Sequence, residues 1–209
     1  ELGLLLLQEN RFDEAIVWIL GAAEAGDPEA QAVLSELYLL GIAVAQSDAS
    51  SLHWLERAAE AGHISAQRDL AARYWSGVGV PQDRDRAFAL LQAAAEGGNL
   101  LAQIDLGWMH YRGLGIPLDY GRARDYFTAA ADAGSAEGQF RLAQMVQLGQ
   151  GGRDLGPGEN YRQARELLLA AARQGYLPAQ LELARQYETG FAAFRDEEQA
   201  LVWYRAAAE

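Results

Sequence analysis

Histidines and carboxylates are the residues of this chain that could bind a metal or carry out acid–base catalysis. The three histidines, His53, His63 and His110, do not have the spacing of metal ligands. The carboxylates are scattered, and a pair such as Glu56 and Glu60 is typical of a solvated helix face. No nucleophile lies beside a base in a pattern that would activate it. The sequence therefore predicts no metal site, no cofactor and no enzymatic activity.

Two glycine pairs resemble a phosphate-binding loop, Gly77-Val78-Gly79 and Gly113-Leu114-Gly115. A dinucleotide-binding fingerprint needs a preceding strand and a third glycine that opens a helix. These pairs instead end a helical pattern and recur at equivalent places, so they are predicted to be turns.

Tryptophan, tyrosine and arginine are the residue types most enriched where proteins bind one another. Trp18, Trp54 and Trp203 occupy one recurring place in a repeated pattern and are predicted to be core side chains. Trp75 and Trp108 fit no recurring aromatic place. These two are the candidates for an exposed recognition surface.

The composition restricts the elements that could position such residues. The chain has 209 residues and a net charge of −12, which disfavours nucleic acid as a partner. Only 15 residues are Val, Ile or Thr, whereas 40 are Ala, which predicts an all-α fold. The chain has no cysteine, and its apolar runs are too short to span a membrane. It begins at Glu1 without a methionine and stops in mid-pattern, so we expect a fragment of a longer protein.

An internal repeat organises the chain. Three residue series share spacings of 36, 36, 36 and 41 residues. The first series is a small residue followed by Gln, at Ala30, Ala66, Ala102, Gly138 and Ala179. The other two are glycines, at 26, 62, 98, 134 and 175 and at 41, 77, 113, 149 and 190.

Each unit is predicted to contain two helices, which we call helix A and helix B. In one unit, helix A covers 65–77 and helix B covers 84–98. Gly77 is predicted to end helix A, because glycine adopts the left-handed cap readily. Pro81 prevents a helix from continuing through the connection. Small residues such as Gly107 on helix A let helix B of the same unit pack closely.

The repeated pattern A-Q-x-x-L-A/G-x-x-Y-x-x-G-x-G-V/I-P-x-D, followed by A-x-x-W/Y/L-Y/F/L-x-x-A-A-x-x-G, resembles the Sel-one-like repeat family, a relative of tetratricopeptide repeats. The resemblance covers the whole chain. Four complete units fall at about 29–64, 65–100, 101–136 and 137–177, with partial units at 1–28 and 178–209. The resemblance implies a single domain over 1–209, a right-handed α-superhelix (α-solenoid) of two-helix repeats, with helix A on the concave side.

The resemblance also implies a function. The family generally serves as a scaffold for protein assembly, mostly in bacterial envelope, secretion or signalling systems, and the expected location is the periplasm, the envelope or the cytoplasm. By analogy with tetratricopeptide repeats, certain helix A positions point into the concave groove, where a protein or peptide partner would bind. The predicted partner-binding residues are Arg68, Trp75, Ile104, Trp108, Tyr111, Arg112, Phe140 and Arg185.

Two alternatives stay open on sequence alone. The same side chains could pack against neighbouring repeats instead of lining a groove, and aromatic residues could stack on sugars in a glycan-binding or exopolysaccharide-export scaffold. In addition, the fourth complete unit carries five extra residues near 150–161. In that segment Gly156, Pro157 and Gly158 are predicted to form turns, either as a tolerated surface insertion or as a functional loop.

Overall fold

A computed structural model describes residues 1–152, 156–190 and 195–208, and these residues form twelve α-helices and no strand. The all-α prediction and the tandem pairs of helices are confirmed. The helices are α1 (Leu2–Gln8), α2 (Phe12–Glu24), α3 (Pro28–Leu40), α4 (Asp48–Glu60), α5 (Ile64–Ser76), α6 (Arg84–Glu96), α7 (Leu100–Arg112), α8 (Tyr120–Asp132), α9 (Ala136–Gln147), α10 (Pro157–Arg173), α11 (Leu177–Thr189) and α12 (Glu197–Ala206). Odd-numbered helices are helix A of a repeat, and even-numbered helices are helix B.

The turn from helix A to helix B uses the same chemistry in several repeats. Helix A ends at a glycine with a positive φ angle, as at Gly77 with φ of 74°. Helix B then begins at a side-chain cap, as at Asp83, whose carboxylate accepts a bond from the nitrogen of Arg86 at 3.0 Å. The nitrogen of Asp83 donates to the carbonyl oxygen of Tyr74 at 2.9 Å and ties the two helices together. The recurring glycine and aspartate therefore fix the hairpin.

The recurring glutamine joins one repeat to the next. The side-chain nitrogens of Gln31, Gln67 and Gln180 each donate to the carbonyl oxygen of the residue eight positions earlier, near the end of the preceding helix B, at 3.0, 3.3 and 3.2 Å. The same three carbonyl oxygens also accept backbone N–H bonds from Gly26, Gly62 and Gly175, so the glutamine adds a second bond at the end of the preceding helix. It gives the recurring glutamine a structural role at the start of α3, α5 and α11, whereas Gln139 on α9 accepts a bond from Gln174 instead.

The chain comprises two compact units, Glu1–Ala102 and Gln103–Glu209. In the N-terminal unit, one apolar cluster includes Leu6, Ile19, Leu34 and Trp54. The prediction of a core position is confirmed for Trp54, which is buried. It is wrong for Trp18, which is 58% exposed. Trp54 packs in a cluster that includes α1 and α2 side chains, whereas the described helices leave Trp18 uncovered.

The C-terminal unit has a core built from α7–α11, with Phe127, Met145, Leu168 and Leu183 among its fully buried side chains. Trp203 of α12 is partly buried and packs against this core, in agreement with the prediction. Small residues let the helices approach closely. A methyl group placed on Gly107 would lie 2.6 Å from the ring of Phe127, as expected for a helix A that packs closely on its own helix B.

The insertion of the fourth complete unit lengthens a helix. The turn prediction for Pro157 and Gly158 is wrong, because both lie in the first turn of α10. Proline suits the first helical position, since its missing N–H has no partner there and its fixed φ angle matches the helix. Residues 153–155 of the same insertion lie outside the described residues.

Candidate functional site

A cavity of about 520 Å³ opens on the helix A side of the C-terminal unit. Three consecutive A helices, α7, α9 and α11, form its walls, and α8 and α10 contribute to its floor. The wall side chains include Trp108, Tyr111, Arg112, Arg141, Gln144 and Arg185, and the apolar floor consists of Phe127, Met145 and Leu168. The volume falls within the range of about 300–1,000 Å³ that is typical of ligand-binding clefts.

Trp108 is the centre of the site. Its indole packs edge-on against Phe127, with ring centroids 6.0 Å apart, and against Tyr111 at 5.5 Å. These are favourable aromatic geometries that hold the indole in a defined orientation. The guanidinium carbons of Arg112 and Arg141 lie 4.6 and 4.5 Å from the same indole centroid, within cation–π distance. Trp108 therefore organises both the apolar and the cationic part of the cavity.

Two of the three arginines that line the cavity are held by carboxylates. Arg141 donates to Glu137 at 3.2 Å and to the side-chain oxygen of Gln144 at 3.3 Å. Arg185 donates to both carboxylate oxygens of Glu182, at 3.1 and 3.0 Å. The Glu182 carboxylate raises the pKa of Arg185 further above its already high value, so this guanidinium stays charged. The two ion pairs fix these side chains at the rim of the cavity.

The structure brings together four of the eight predicted partner-binding residues. Trp108, Tyr111, Arg112 and Arg185 all line the cavity, although α7 and α11 are separated by two repeats in sequence. Their meeting follows from the repeat, because helices at equivalent positions present equivalent faces in successive units.

Two predicted groove residues are core residues instead. Ile104 is 4% exposed and Phe140 is 6% exposed, and both belong to the apolar core of the C-terminal unit. Phe140 packs against Tyr176, with ring centroids 5.5 Å apart. The expectation that these two residues offer an accessible groove surface is wrong, because neighbouring helices cover the early turns of α7 and α9.

Arg68 and Trp75 lie in the N-terminal unit, on α5. Trp75 is partly buried, and the guanidinium carbon of Arg84 lies 5.2 Å from its ring centroid. The side chain of Gln82 donates to the carbonyl oxygen of Trp75 at 2.8 Å. Their role in partner binding stays a prediction.

Sequence reasoning missed Arg141. This residue occupies the helix A position that holds Asp69, Asp105 and Glu182 in three other repeats. A single change from acidic to basic at a repeated position is a signal that the aligned repeats contain.

The described lining of the cavity includes one carboxylate, Glu182, which is paired with Arg185. Across residues 1–152, 156–190 and 195–208, no group of three or more His, Cys, Asp or Glu side chains is placed to hold a metal ion. His110 is buried and stacks on Tyr126 with ring centroids 5.7 Å apart. Burial lowers the pKa of His110, with a further contribution from Arg122. Within the same described ranges, none of the helices has the length and apolar character needed to cross a bilayer.

The geometry defines an α-helical repeat protein with an open cavity on the helix A side of its C-terminal unit. Comparison with known families is more specific. The Sel1 repeat model matches residues 28–63, 64–99, 100–135, 136–176 and 177–209, so the chain belongs to the Sel1 repeat family. Each match begins one residue before the corresponding unit predicted from the sequence. Sel1 repeat proteins generally act as scaffolds for protein interaction and are typically not catalytic.

Solved structures of bacterial proteins resemble the chain. A protective antigen of uropathogenic Escherichia coli with an SLR fold is 34% identical and has a TM-score of 0.81, over 94% of this chain and 41% of that protein. The chain thus spans less than half the length of this relative. A Sel1 repeat protein from Oxalobacter formigenes is 25% identical with a TM-score of 0.85, over 99% of this chain and 82% of that protein.

More distant structures share the fold alone. An immunity protein from Pseudomonas aeruginosa is 22% identical, with a TM-score of 0.60 over 94% of this chain and 72% of that protein. Among curated proteins, none matches the chain.

Proposed function

We propose that this chain is a non-enzymatic scaffold that binds a segment of a partner protein in the cavity between α7, α9 and α11. The observation that carries the proposal is the meeting of Trp108, Tyr111, Arg112 and Arg185 around one open volume of about 520 Å³. Aromatic and arginine side chains give large contact areas and directed bonds, which is why they dominate binding energies at protein interfaces. The family's role in bacterial assemblies suggests a partner in an envelope, secretion or signalling system.

The arrangement around Trp108 supports a preorganised site. Edge-on packing against Phe127 and Tyr111 restricts the indole, and the adjacent Arg141 is tied to Glu137. A partner that binds side chains already held in place loses less conformational entropy on association. The same arrangement favours a peptide over a glycan, because two guanidinium groups already lie over the indole ring on which a sugar would stack.

The experiment must block the cavity without weakening the core. Truncating Trp108 would remove its packing against Phe127 as well as the binding surface. Gln144 is a better position, because it is exposed on α9 and lines the cavity. Gln144→Trp adds bulk inside the cavity. Gln199→Trp makes the same change at an exposed position on α12 outside the cavity and serves as the matched control.

Short random peptides displayed on phage would be selected on the immobilised chain and then tested against both variants. We expect the selected peptides to bind the parent chain and the Gln199→Trp variant with similar affinity. Their affinity for the Gln144→Trp variant should be lower by at least about tenfold, which is equivalent to roughly 1.4 kcal/mol. Circular dichroism checks that both variants are folded. Selected peptides that all bind the two variants equally would place recognition outside the cavity and overturn the proposal.

A further inference from the structure

The charge of the cavity differs from the charge of the chain that surrounds it. Three arginines and one glutamate line the cavity, whereas the chain carries a net charge of −12. A local cationic site on an acidic protein attracts negatively charged groups and repels basic segments. The lining therefore contains information about the chemistry of the partner.

We infer that the bound segment carries carboxylates beside a bulky apolar side chain, and that Arg112 and Arg141 receive these carboxylates. The inference rests on the proposed function and specifies the class of partner: an acidic segment of a protein with an aromatic or aliphatic anchor.

Arg112 is the more accessible of the two receiving groups. It is exposed, and no ion pair joins it to another residue within the described ranges. Its contact with the Trp108 ring, at 4.6 Å, orients the guanidinium without using its N–H donors in hydrogen bonds. A guanidinium has five N–H donors in a planar fork that matches both oxygens of a carboxylate. Arg112 thus has donors available for a bidentate bond to an incoming acid.

Arg141 is held more rigidly and is only partly satisfied. Its side chain is 22% exposed, and two of its nitrogen atoms bond to Glu137 and Gln144. Its Nε is buried and has no hydrogen-bond partner. A partly buried guanidinium with unfilled donors and one neutralising carboxylate gains from a second carboxylate at its exposed side. Arg141 therefore adds a second, fixed positive charge next to Arg112.

Arg185 differs from these two arginines. Both oxygens of Glu182 already accept its N–H groups, so a partner carboxylate would have to compete with an existing bidentate pair. Arg185 contributes to the local charge, and the direct bonds are assigned to Arg112 and Arg141.

The apolar half of the cavity determines what must lie beside the acid. The partly buried rings of Trp108 and Tyr111 line the same volume, and Leu148 is 64% exposed at its edge. Exposed apolar surface next to paired guanidinium groups suits a side chain such as Phe, Trp or Leu within a residue or two of Asp or Glu. A purely acidic segment would leave this surface uncovered.

The composition of the selected peptides tests the inference. Peptides that depend on the cavity are those that lose binding to Gln144→Trp and keep it on Gln199→Trp. We expect these peptides to be enriched in Asp and Glu next to aromatic or aliphatic residues, and their affinity to fall as salt is raised. Cavity-dependent peptides of neutral or basic composition would overturn the inference and leave the proposed function intact. The lack of any cavity-dependent peptide would overturn both.

Two further measurements assign the receiving residues. The leading peptide would be synthesised in its selected form and with Asp and Glu replaced by Asn and Gln, a change that leaves the protein untouched. We expect the neutral peptide to bind the parent chain at least about tenfold more weakly than the selected peptide does. We expect the same loss when the selected peptide is tested on the Arg112→Gln/Arg141→Gln variant in place of the parent chain. Arg173→Gln, an exposed change on α10 outside the cavity, is the matched control. Equal affinity of the selected peptide for the parent and the double variant would overturn the assignment. The single variant Arg112→Gln repeats the test without changing the partly buried side chain of Arg141.

Discussion

Gly107 on α7 leaves room for the side chain of Phe127, which packs against Trp108 in the candidate site. A methyl group at Gly107 would lie 2.6, 2.8 and 2.9 Å from three ring atoms of Phe127. Phe127 is 1% exposed, so its ring cannot move away without disturbing the core, and it packs against Trp108. Inserting a methyl into such a core costs about 1–3 kcal/mol, and three close contacts favour the upper part of that range. Replacing glycine by alanine inside a helix returns about 1 kcal/mol. The expected net loss for Gly107→Ala is about 1–2 kcal/mol.

The assay is urea unfolding followed by far-ultraviolet circular dichroism, with Gly21→Ala as the control. Gly21 lies inside α2, and an added methyl there meets nothing within 4 Å. Gly21→Ala should therefore raise the free energy of unfolding by up to about 1 kcal/mol, and Gly107→Ala should lower it. If both variants are stabilised alike, the close packing of α7 on α8 does not constrain this position and the reasoning is refuted.

Three further predictions follow from other contacts. Gly138→Ala should cost about 1–3 kcal/mol in urea unfolding, because the new methyl would lie 2.8 Å from a backbone nitrogen of α8; unchanged stability would contradict this packing. Replacing the α8 cap in Asp119→Ala should cost about 1 kcal/mol, whereas Asp119→Asn should retain most of the stability; equal losses would argue against a capping role. Burial lowers the pKa of His110, so the folded state favours its neutral form, and stability should fall as the pH drops from the ordinary histidine pKa of 6.5 toward the lower folded value. His110→Tyr, with the residue that other repeats place there, should weaken this dependence in melts across that pH range, and an unchanged slope would contradict the assignment.

The repeated features of the fold could be predicted because the same local interaction produces them each time. The glycine at 77 ends a helix in the left-handed region, and the aspartate at 83 caps the next one. Such bonds form between residues close in sequence, so residue type and spacing are sufficient to identify them. The all-α fold and the pairing of helices follow from these signals.

The site was predictable in part. Trp108 and Ile104 are four residues apart and share a stripe of α7, so spacing alone predicted the same exposure for both. Packing separates them, because a neighbouring helix covers the stripe at Ile104 and leaves it open at Trp108. The prediction for Trp18 was wrong for a related reason, since equivalent places in a repeat have equivalent burial only where a neighbour covers them. The contribution of Arg141 to the site depends on how its long side chain extends to the Trp108 ring, and residue spacing alone does not predict that contact.

The most direct test of the central claim is to observe which tryptophan a bound peptide contacts. Each of the five tryptophans contributes one indole N–H group that nuclear magnetic resonance can follow, and a Trp108→Phe variant would assign the signal of Trp108. Binding of a selected peptide in the cavity should shift the Trp108 signal most and leave the signal of the exposed Trp18 in place. A peptide that binds tightly and shifts the signal of another tryptophan while that of Trp108 stays fixed would contradict the account.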